Sequence, residues 1–214
     1  MDKKKIVPAF WPFFKKHGYK KWGATKFYRI ENDIAFCFLL ERPSIIVYPT
    51  YYIWPLYIPT DVVPLSYGNR LNEGDYGYCL WDDDSTFEPW VEKLKKCLET
   101  TVFPFYESIN SPEKLWQLIS QEDFGTPNYL FCPPHLMKRL QMYTACYMGD
   151  LMSARKYFNF LIDNHPSPNY VKENIDTWKF MIDSPQEVRE TFFRDTIRNN
   201  KEIFWHIRPQ EDKK

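Results

Sequence analysis

Apolar side chains follow different spacings in the two halves of the chain. In the first 80 residues, three runs have the apolar, β-branched and aromatic composition of β-strands, and they cover residues 25–30, 34–40 and 45–58. Asn32 and Asp33 separate the first two runs and predict a tight turn. We therefore expect an antiparallel sheet in this part of the chain.

The third run differs from the other two because prolines interrupt it. Pro49, Pro55 and Pro59 have no backbone N–H to donate within a sheet. We therefore expect this run to be broken, bulged or at a sheet edge. Residues 61–80 are rich in glycine and other turn-forming residues, and we expect them to form a loop.

Helical spacing is found at the N-terminus and again after residue 85. Residues 3–17 predict a short helix that contains Pro12 and stops at Gly18. A capping box at Ser85–Glu88 predicts the start of the next helix. Its apolar residues recur at helical spacing, and they are Phe87, Val91, Leu94, Leu98 and Val102.

The last third of the chain predicts four more helices. A second capping box, at Ser184–Glu187, marks the start of the final one. The segment Ala145–Leu151 resembles the turn of a helical hairpin. Because this pattern occurs only once, it predicts a single hairpin and not a repeat array.

These patterns together predict an α+β fold, with an antiparallel sheet and flanking helices followed by a C-terminal helical subdomain. Residues 123–134 contain three prolines and a glycine, which is typical of a joint. We therefore expect an α+β domain at residues 1–124 and a helical subdomain, packed on it, at residues 125–214.

The charge of the chain is balanced overall but uneven along its length. It has 28 basic and 28 acidic residues, which argues against a general binder of nucleic acid or membrane surfaces. Residues 1–30 hold nine basic residues and one acid, whereas residues 31–90 hold ten acids and two basic residues. These segments either neutralise each other in the fold or form opposite poles for a charged partner.

Cysteine content and the N-terminus bear on the compartment. The chain has 5 cysteines and no C-x-x-C pair, which predicts reduced thiols in a reducing compartment. The apolar run at residues 6–14 contains two prolines and is closed by Lys15 and Lys16, so we expect no signal peptide. No apolar stretch is long enough to span a membrane. We expect a soluble, cytoplasmic protein.

One short motif resembles a known family. Residues 12–21 read PFFKKHGYKK, and Phe27-Tyr28-Arg29 follow. A helix that ends in a Gly-aromatic pair, a lysine cluster and a strand with an aromatic-x-Arg pattern resemble the opening of a bacterial family known as domain of unknown function 4304. The resemblance covers roughly the first 120 residues. It implies a compact α+β module of bacterial origin and brings no established activity or catalytic residues.

Two sets of residues are candidates for binding. The first is the aromatic set of the third run, which consists of Tyr48, Tyr51, Tyr52, Trp54 and Tyr57. A strand places such rings on both faces, of which one packs on helices and the other is either core or a binding face for a protein or a base. The second set is Lys20, Lys21 and Trp22, whose mixture of charge and aromatic surface suits single-stranded nucleic acid. Solvated lysines on a turn are the structural alternative.

The acidic cluster Asp82, Asp83 and Asp84 is the candidate metal site. Adjacent carboxylates can hold a divalent cation. The alternative is that these acids favour a helix start, where the helix dipole stabilises negative charge. The chain has no nucleotide-binding or serine-hydrolase motif, and we expect no cofactor.

The leading functional hypothesis is a non-catalytic protein-interaction module, such as a bacterial immunity-type or regulatory binder, with another protein as its partner. Tyr and Trp are common interface anchors. The first alternative is an enzyme of unrecognised type that uses the acidic cluster, including a metal-dependent one. The second is a single-stranded nucleic-acid binder that uses the basic N-terminus. The sequence does not indicate the oligomeric state.

Overall fold

The structure is a computed structural model that describes residues 3–23, 25–41, 47–60, 67–71, 74, 86–121 and 132–206. The strands are β1 (Lys20–Lys21), β2 (Lys26–Glu31), β3 (Ile34–Glu41), β4 (Tyr48–Pro55) and β5 (Tyr67–Arg70). The first helices are α1 (Lys3–Lys16) and α2 (Phe87–Cys97), and a π-helical segment (Leu98–Val102) joins α2 to α3 (Phe103–Ser108). The remaining helices are α4 (Pro112–Ile119), α5 (Pro134–Tyr147), α6 (Leu151–Asn164), α7 (Pro168–Asp183) and α8 (Gln186–His206). The α+β fold class predicted from the sequence is confirmed.

The five strands form one antiparallel sheet in the order β1-β2-β3-β4-β5. The turn predicted between the first two runs is confirmed, because Asn32 and Asp33 connect β2 to β3 with φ angles of 43° and 64°. Asn and Asp tolerate this left-handed conformation better than other residues with side chains.

Strand β4 corrects the expectation for the proline-containing run. It continues without a break from Tyr48 to Pro55 and lies between β3 and β5, so it is not an edge strand. Pro49 and Pro55 lie near its two ends, where a missing N–H is easily tolerated. The carbonyl of Pro49 still accepts a hydrogen bond from Leu71 N at 2.9 Å.

Strand β5 corrects the expectation of a loop at residues 61–80, since Tyr67–Arg70 pairs with β4. Gly68 permits this pairing. A Cβ atom at this position would overlap the carbonyl oxygen of Tyr51 and would lie 2.5 Å from Cα of Tyr52. Residues 61–66 and 75–80 of the predicted loop lie outside the described residues.

Helix α1 covers one face of the sheet. Its inner side chains, Ile6, Phe10 and Phe14, are fully buried, and the ring of Phe14 stacks on Phe27 of β2 at a centroid distance of 4.1 Å. The predicted stop is confirmed, because Gly18 follows the helix with φ of 78°. This end of α1 brings the residues after Lys16 next to the sheet.

The C-terminal helices share the core of the sheet. Helices α5 and α6 form the predicted hairpin, with Gly149 at φ 80° and the carboxylate of Asp150 accepting from Ser153 N at 3.0 Å. One cluster of buried residues continues from Ile6 of α1 to Phe193 of α8. The predicted boundary at residues 124–125 lies outside the described residues.

Helix α8 is joined to the sheet by buried contacts. The side-chain amide of Asn200 donates to the carbonyl of Leu56 at 2.7 Å and to that of Ile58 at 2.8 Å. Four residues later, the ring of Phe204 stacks on Tyr28 of β2 at 4.5 Å. Helix α8 therefore packs on the second face of the sheet and holds the segment that follows β4.

Candidate functional site

Most of the predicted aromatic binding face belongs to the core. Four of its members are at most 3% exposed, and they are Tyr51, Tyr52, Trp54 and Tyr57. Both faces of β4 are covered, so these four rings are core residues. This is the structural alternative that the sequence left open. Tyr48 is half-buried at the start of the strand, where the guanidinium of Arg70 lies 4.6 Å from its ring centre.

The basic set lies on the edge strand β1 and just after it. Lys20 is exposed, and Lys21 places its Nζ 5.1 Å from the ring of Trp11. Trp22 is half-buried against Phe204 at 5.8 Å, and Lys26 Nζ lies 4.7 Å from its ring centre. The Trp22 ring therefore already has packing partners within the protein.

The acidic set, Asp82, Asp83 and Asp84, lies outside the described residues, as do Ser85 of the first capping box and the neighbouring Glu73 and Asp75. In the part of the chain that the structure describes, no group of three or more His, Cys, Asp or Glu side chains could hold a metal ion. A metal site at the acidic set stays a prediction.

A cleft that the sequence did not predict lies where α1 ends against β2 and α3. Its volume is about 350 Å³, and it is lined by His17, Arg29, Glu99, Phe103, Pro104 and Glu107. We call it the Arg29 cleft. Three separate stretches of the chain contribute to it, so it exists only in the folded protein.

The helical wall of the Arg29 cleft contains a widened turn. The π-helical segment Leu98–Val102 ends two residues before Pro104, which has no N–H to donate to the carbonyl of Thr100. Short π-helical turns within α-helices are frequent at functional sites. Glu99, Phe103 and Glu107 line the cleft from this wall.

Arg29 is held in place by acids and by aromatic rings. Its Nη2 lies 2.7 Å from Glu107 Oε1 and 3.3 Å from Glu31 Oε2. Its guanidinium lies 5.5 Å from the ring centre of Tyr19 and 5.6 Å from that of Phe36. Burial lowers the pKa of Arg29, but the hydrogen bond to Glu107 and the nearby negative charges outweigh this effect, so the pKa is raised.

His17 is clamped between two phenylalanine rings. Its ring centre lies 4.9 Å from that of Phe13 and 4.7 Å from that of Phe103. Its Nε2 lies 3.4 Å from Glu99 Oε1, within ion-pair distance, but the two atoms do not have hydrogen-bond geometry. The imidazole therefore faces the Glu99 carboxylate without forming a hydrogen bond to it.

Three buried polar atoms around the Arg29 cleft have no hydrogen-bond partner, and they are His17 Nε2, Tyr19 Oη and Arg29 Nε. The ring of Tyr19 stacks on Phe103 at 5.6 Å, and burial raises the pKa of its hydroxyl. Buried polar groups without a partner are rare in native proteins, and each calls for an explanation. His17 and Arg29 line the Arg29 cleft, and Tyr19 lies beside it, so the protein itself leaves these polar atoms without partners next to the cleft.

A partial signal for this site is present in the sequence. Glu99, Phe103 and Glu107 lie four positions apart, which places polar and aromatic side chains along one helical line. Sequence spacing could not show that His17 and Arg29 belong to the same site, because no local pattern connects α1 and β2 to this helix.

No protein-family model matches the chain, and the searches of curated proteins and of solved structures also found no match. The resemblance to domain of unknown function 4304 therefore stays a prediction. None of the helices within the described ranges has the length and apolar character that crossing a membrane requires.

Proposed function

We propose that the protein is a non-catalytic module that binds another protein through the Arg29 cleft. The observation behind this proposal is the set of three buried polar atoms, His17 Nε2, Tyr19 Oη and Arg29 Nε, that lack hydrogen-bond partners next to a surface cleft. A partner that covers the cleft would supply the missing partners, with its backbone carbonyls or trapped water accepting from Arg29 Nε, which a basic side chain cannot do.

The charges of the Arg29 cleft favour a basic side chain as the anchor of that partner. Glu99 and Glu107 are 49% and 52% exposed, so both carboxylates are accessible from solvent. Arg29 already faces two acids, Glu31 and Glu107, which leaves negative charge in excess at the cleft. Phe103 and Pro104 supply an apolar wall for the stem of a lysine or arginine.

The surroundings of the Arg29 cleft are basic. The exposed residues Lys15, Lys16 and Lys20 flank His17 and Tyr19 along the chain, and the described part of α1 contains no acid. A complementary partner would therefore present acidic residues around its basic anchor. Such alternating charge gives a protein interface specificity and a defined orientation.

An immunity-type or regulatory binder that acts in the bacterial cytoplasm is the form of this proposal that the sequence suggests. The thiols of Cys37, Cys132 and Cys146 support a reducing compartment, because none of them is in a disulfide. Burial raises the pKa of the Cys132 and Cys146 thiols to about 12, which makes them poor nucleophiles and favours a structural role.

The proposal is tested by affinity capture from an extract of the native organism with three forms of the protein. Glu99→Lys reverses a charge in the Arg29 cleft, and Glu173→Lys makes the same change at an exposed position of α7. We expect one stoichiometric protein to be retained by the wild type and by Glu173→Lys, and to be lost with Glu99→Lys. Equal capture by all three forms, or no capture by the wild type, would contradict the proposal.

A further inference from the structure

Arg139 of α5 is a partly buried cation with an incomplete set of partners. Its Nη2 donates to the carbonyl of Pro59 at 3.0 Å, while its Nε is buried and has no hydrogen-bond partner. Within the described part of the chain, no carboxylate lies at ion-pair distance from this guanidinium. A guanidinium that is partly removed from water and has no counter-charge among the described residues favours an anion at its unpaired N–H.

Tyrosines surround this guanidinium. It lies 5.7 Å from the ring centre of Tyr143 and 5.9 Å from that of Tyr170. Tyr67 of β5 is 1% exposed, and its hydroxyl is also buried without a hydrogen-bond partner. Burial raises the pKa of Tyr67 and the charge of Arg139 opposes that rise, so the hydroxyl lies within electrostatic range of the guanidinium.

Both unpaired groups beside Arg139 can donate a hydrogen bond, and the Tyr67 hydroxyl can also accept one. Arg139 offers an N–H, and the Tyr67 hydroxyl can turn its O–H towards the same acceptor. The complementary group is an oxygen that bears negative charge, and a guanidinium binds carboxylate and phosphate oxygens especially well.

Two half-buried histidines lie near the tyrosines that surround this guanidinium. His135 lies one helical turn before Arg139 on α5, so both residues are on the same side of the helix. The ring of His135 lies 4.8 Å from that of His165, which in turn stacks on Tyr170 at 4.7 Å and 15°. Both imidazoles are half-buried.

We propose that Arg139 and the Tyr67 hydroxyl, walled by Tyr143 and Tyr170, form a binding site for a small oxyanion, either a carboxylate or a phosphate. This site belongs to β5, α5 and α7 and shares no residue with the Arg29 cleft. The two proposals therefore stand or fall separately.

The first test measures the melting temperature of the full chain in sodium acetate and in sodium phosphate, against sodium chloride of equal ionic strength. A ligand that binds only the folded state raises the apparent stability. We expect at least one oxyanion to raise the melting temperature of the wild type and of Arg155→Gln, which changes an exposed arginine on α6. Arg139→Gln should show no such rise. An equal rise in Arg139→Gln, or no rise in the wild type, would overturn the proposal.

Acetate and phosphate also separate the two sources of the anion. A rise with acetate alone assigns a carboxylate ligand, a rise with phosphate alone assigns a phosphate ligand, and both results support the site.

A second variant keeps the proposal testable if Arg139→Gln does not fold. Tyr67→Phe removes one hydroxyl that has no hydrogen-bond partner in the protein, so folding should be retained. A hydrogen bond to a charged group contributes about 1.5–3 kcal/mol, so oxyanion affinity should fall about tenfold or more in calorimetric titration. Unchanged affinity in Tyr67→Phe would overturn the proposal.

Discussion

The ring of Tyr57 lies flat on the ring of Tyr147, with centroids 4.4 Å apart and planes 11° from parallel. Tyr57 follows β4, and Tyr147 is the last residue of α5. The hydroxyl of Tyr57 also shares a hydrogen bond with Thr144 Oγ1 at 3.0 Å. This contact attaches the C-terminal helices to the sheet through one fully buried side chain.

Tyr57→Phe should lower the free energy of unfolding by about 1–2 kcal/mol, because Thr144 Oγ1 loses its buried partner while the ring stacking is kept. Urea denaturation measures the change. Tyr48→Phe is the matched control, since Tyr48 is only half-buried, and it should change stability by less than about 0.5 kcal/mol. Equal effects of the two substitutions would show that the hydrogen bond does not matter for stability.

Gly68→Ala should destabilise the protein by at least about 1–3 kcal/mol, because the added Cβ overlaps the Tyr51 carbonyl oxygen and backbone must move. Gly149→Ala is a useful comparison, since a Cβ there meets no atom within 4 Å and only the left-handed φ is unfavourable. That strain costs about 1–2 kcal/mol. Thermal unfolding should rank Gly68→Ala as the more damaging change, and the reverse order would show that β5 does not approach β4 this closely.

The sequence predicted those elements whose signals are local. The turn at Asn32-Asp33, the helix stop at Gly18 and the hairpin at Gly149 all depend on backbone angles that a few residue types favour. The prolines of β4 led to a wrong expectation, because a proline near the end of a strand disturbs its hydrogen bonding less than one in the middle. Strand β5 was missed because its four residues pair through Gly68, which in isolation indicates a turn.

The Arg29 cleft could be predicted only in part. A helical line of Glu99, Phe103 and Glu107 is visible in the sequence, but the positions of His17 and Arg29 depend on the packing of α1 and β2. The aromatic residues of β4 were candidates for binding because aromatic content alone does not show whether a strand is covered on both faces.

Tyr19→Phe should have opposite effects on stability and on binding. Removing a buried hydroxyl that has no hydrogen-bond partner should leave the melting temperature unchanged or raise it. If the proposed protein partner provides a hydrogen-bond partner for Tyr19 Oη, the same change should weaken its binding. Calorimetry on both properties checks this prediction, and a destabilised variant with unchanged affinity would contradict it.

Stability should fall in acid through His135. Burial and the nearby charge of His165 lower the pKa of His135 in the folded protein, whereas the unfolded chain keeps the ordinary value of about 6.5. The unfolded state therefore binds the proton more tightly, and stability present above about pH 6.5 is lost as the pH falls towards the lower, folded pKa. His135→Asn should flatten the stability curve over this interval. Parallel curves for the two proteins would contradict the assignment.

Hydrogen exchange of the protein, alone and with its captured partner, tests the central claim most directly. If the partner seats its basic anchor in the Arg29 cleft, exchange should slow most in residues 98–108, which contain the π-helical segment and α3. The helices α7 and α8 should exchange as in the free protein. Slowed exchange in α7 and α8, with residues 98–108 unchanged, would contradict the account.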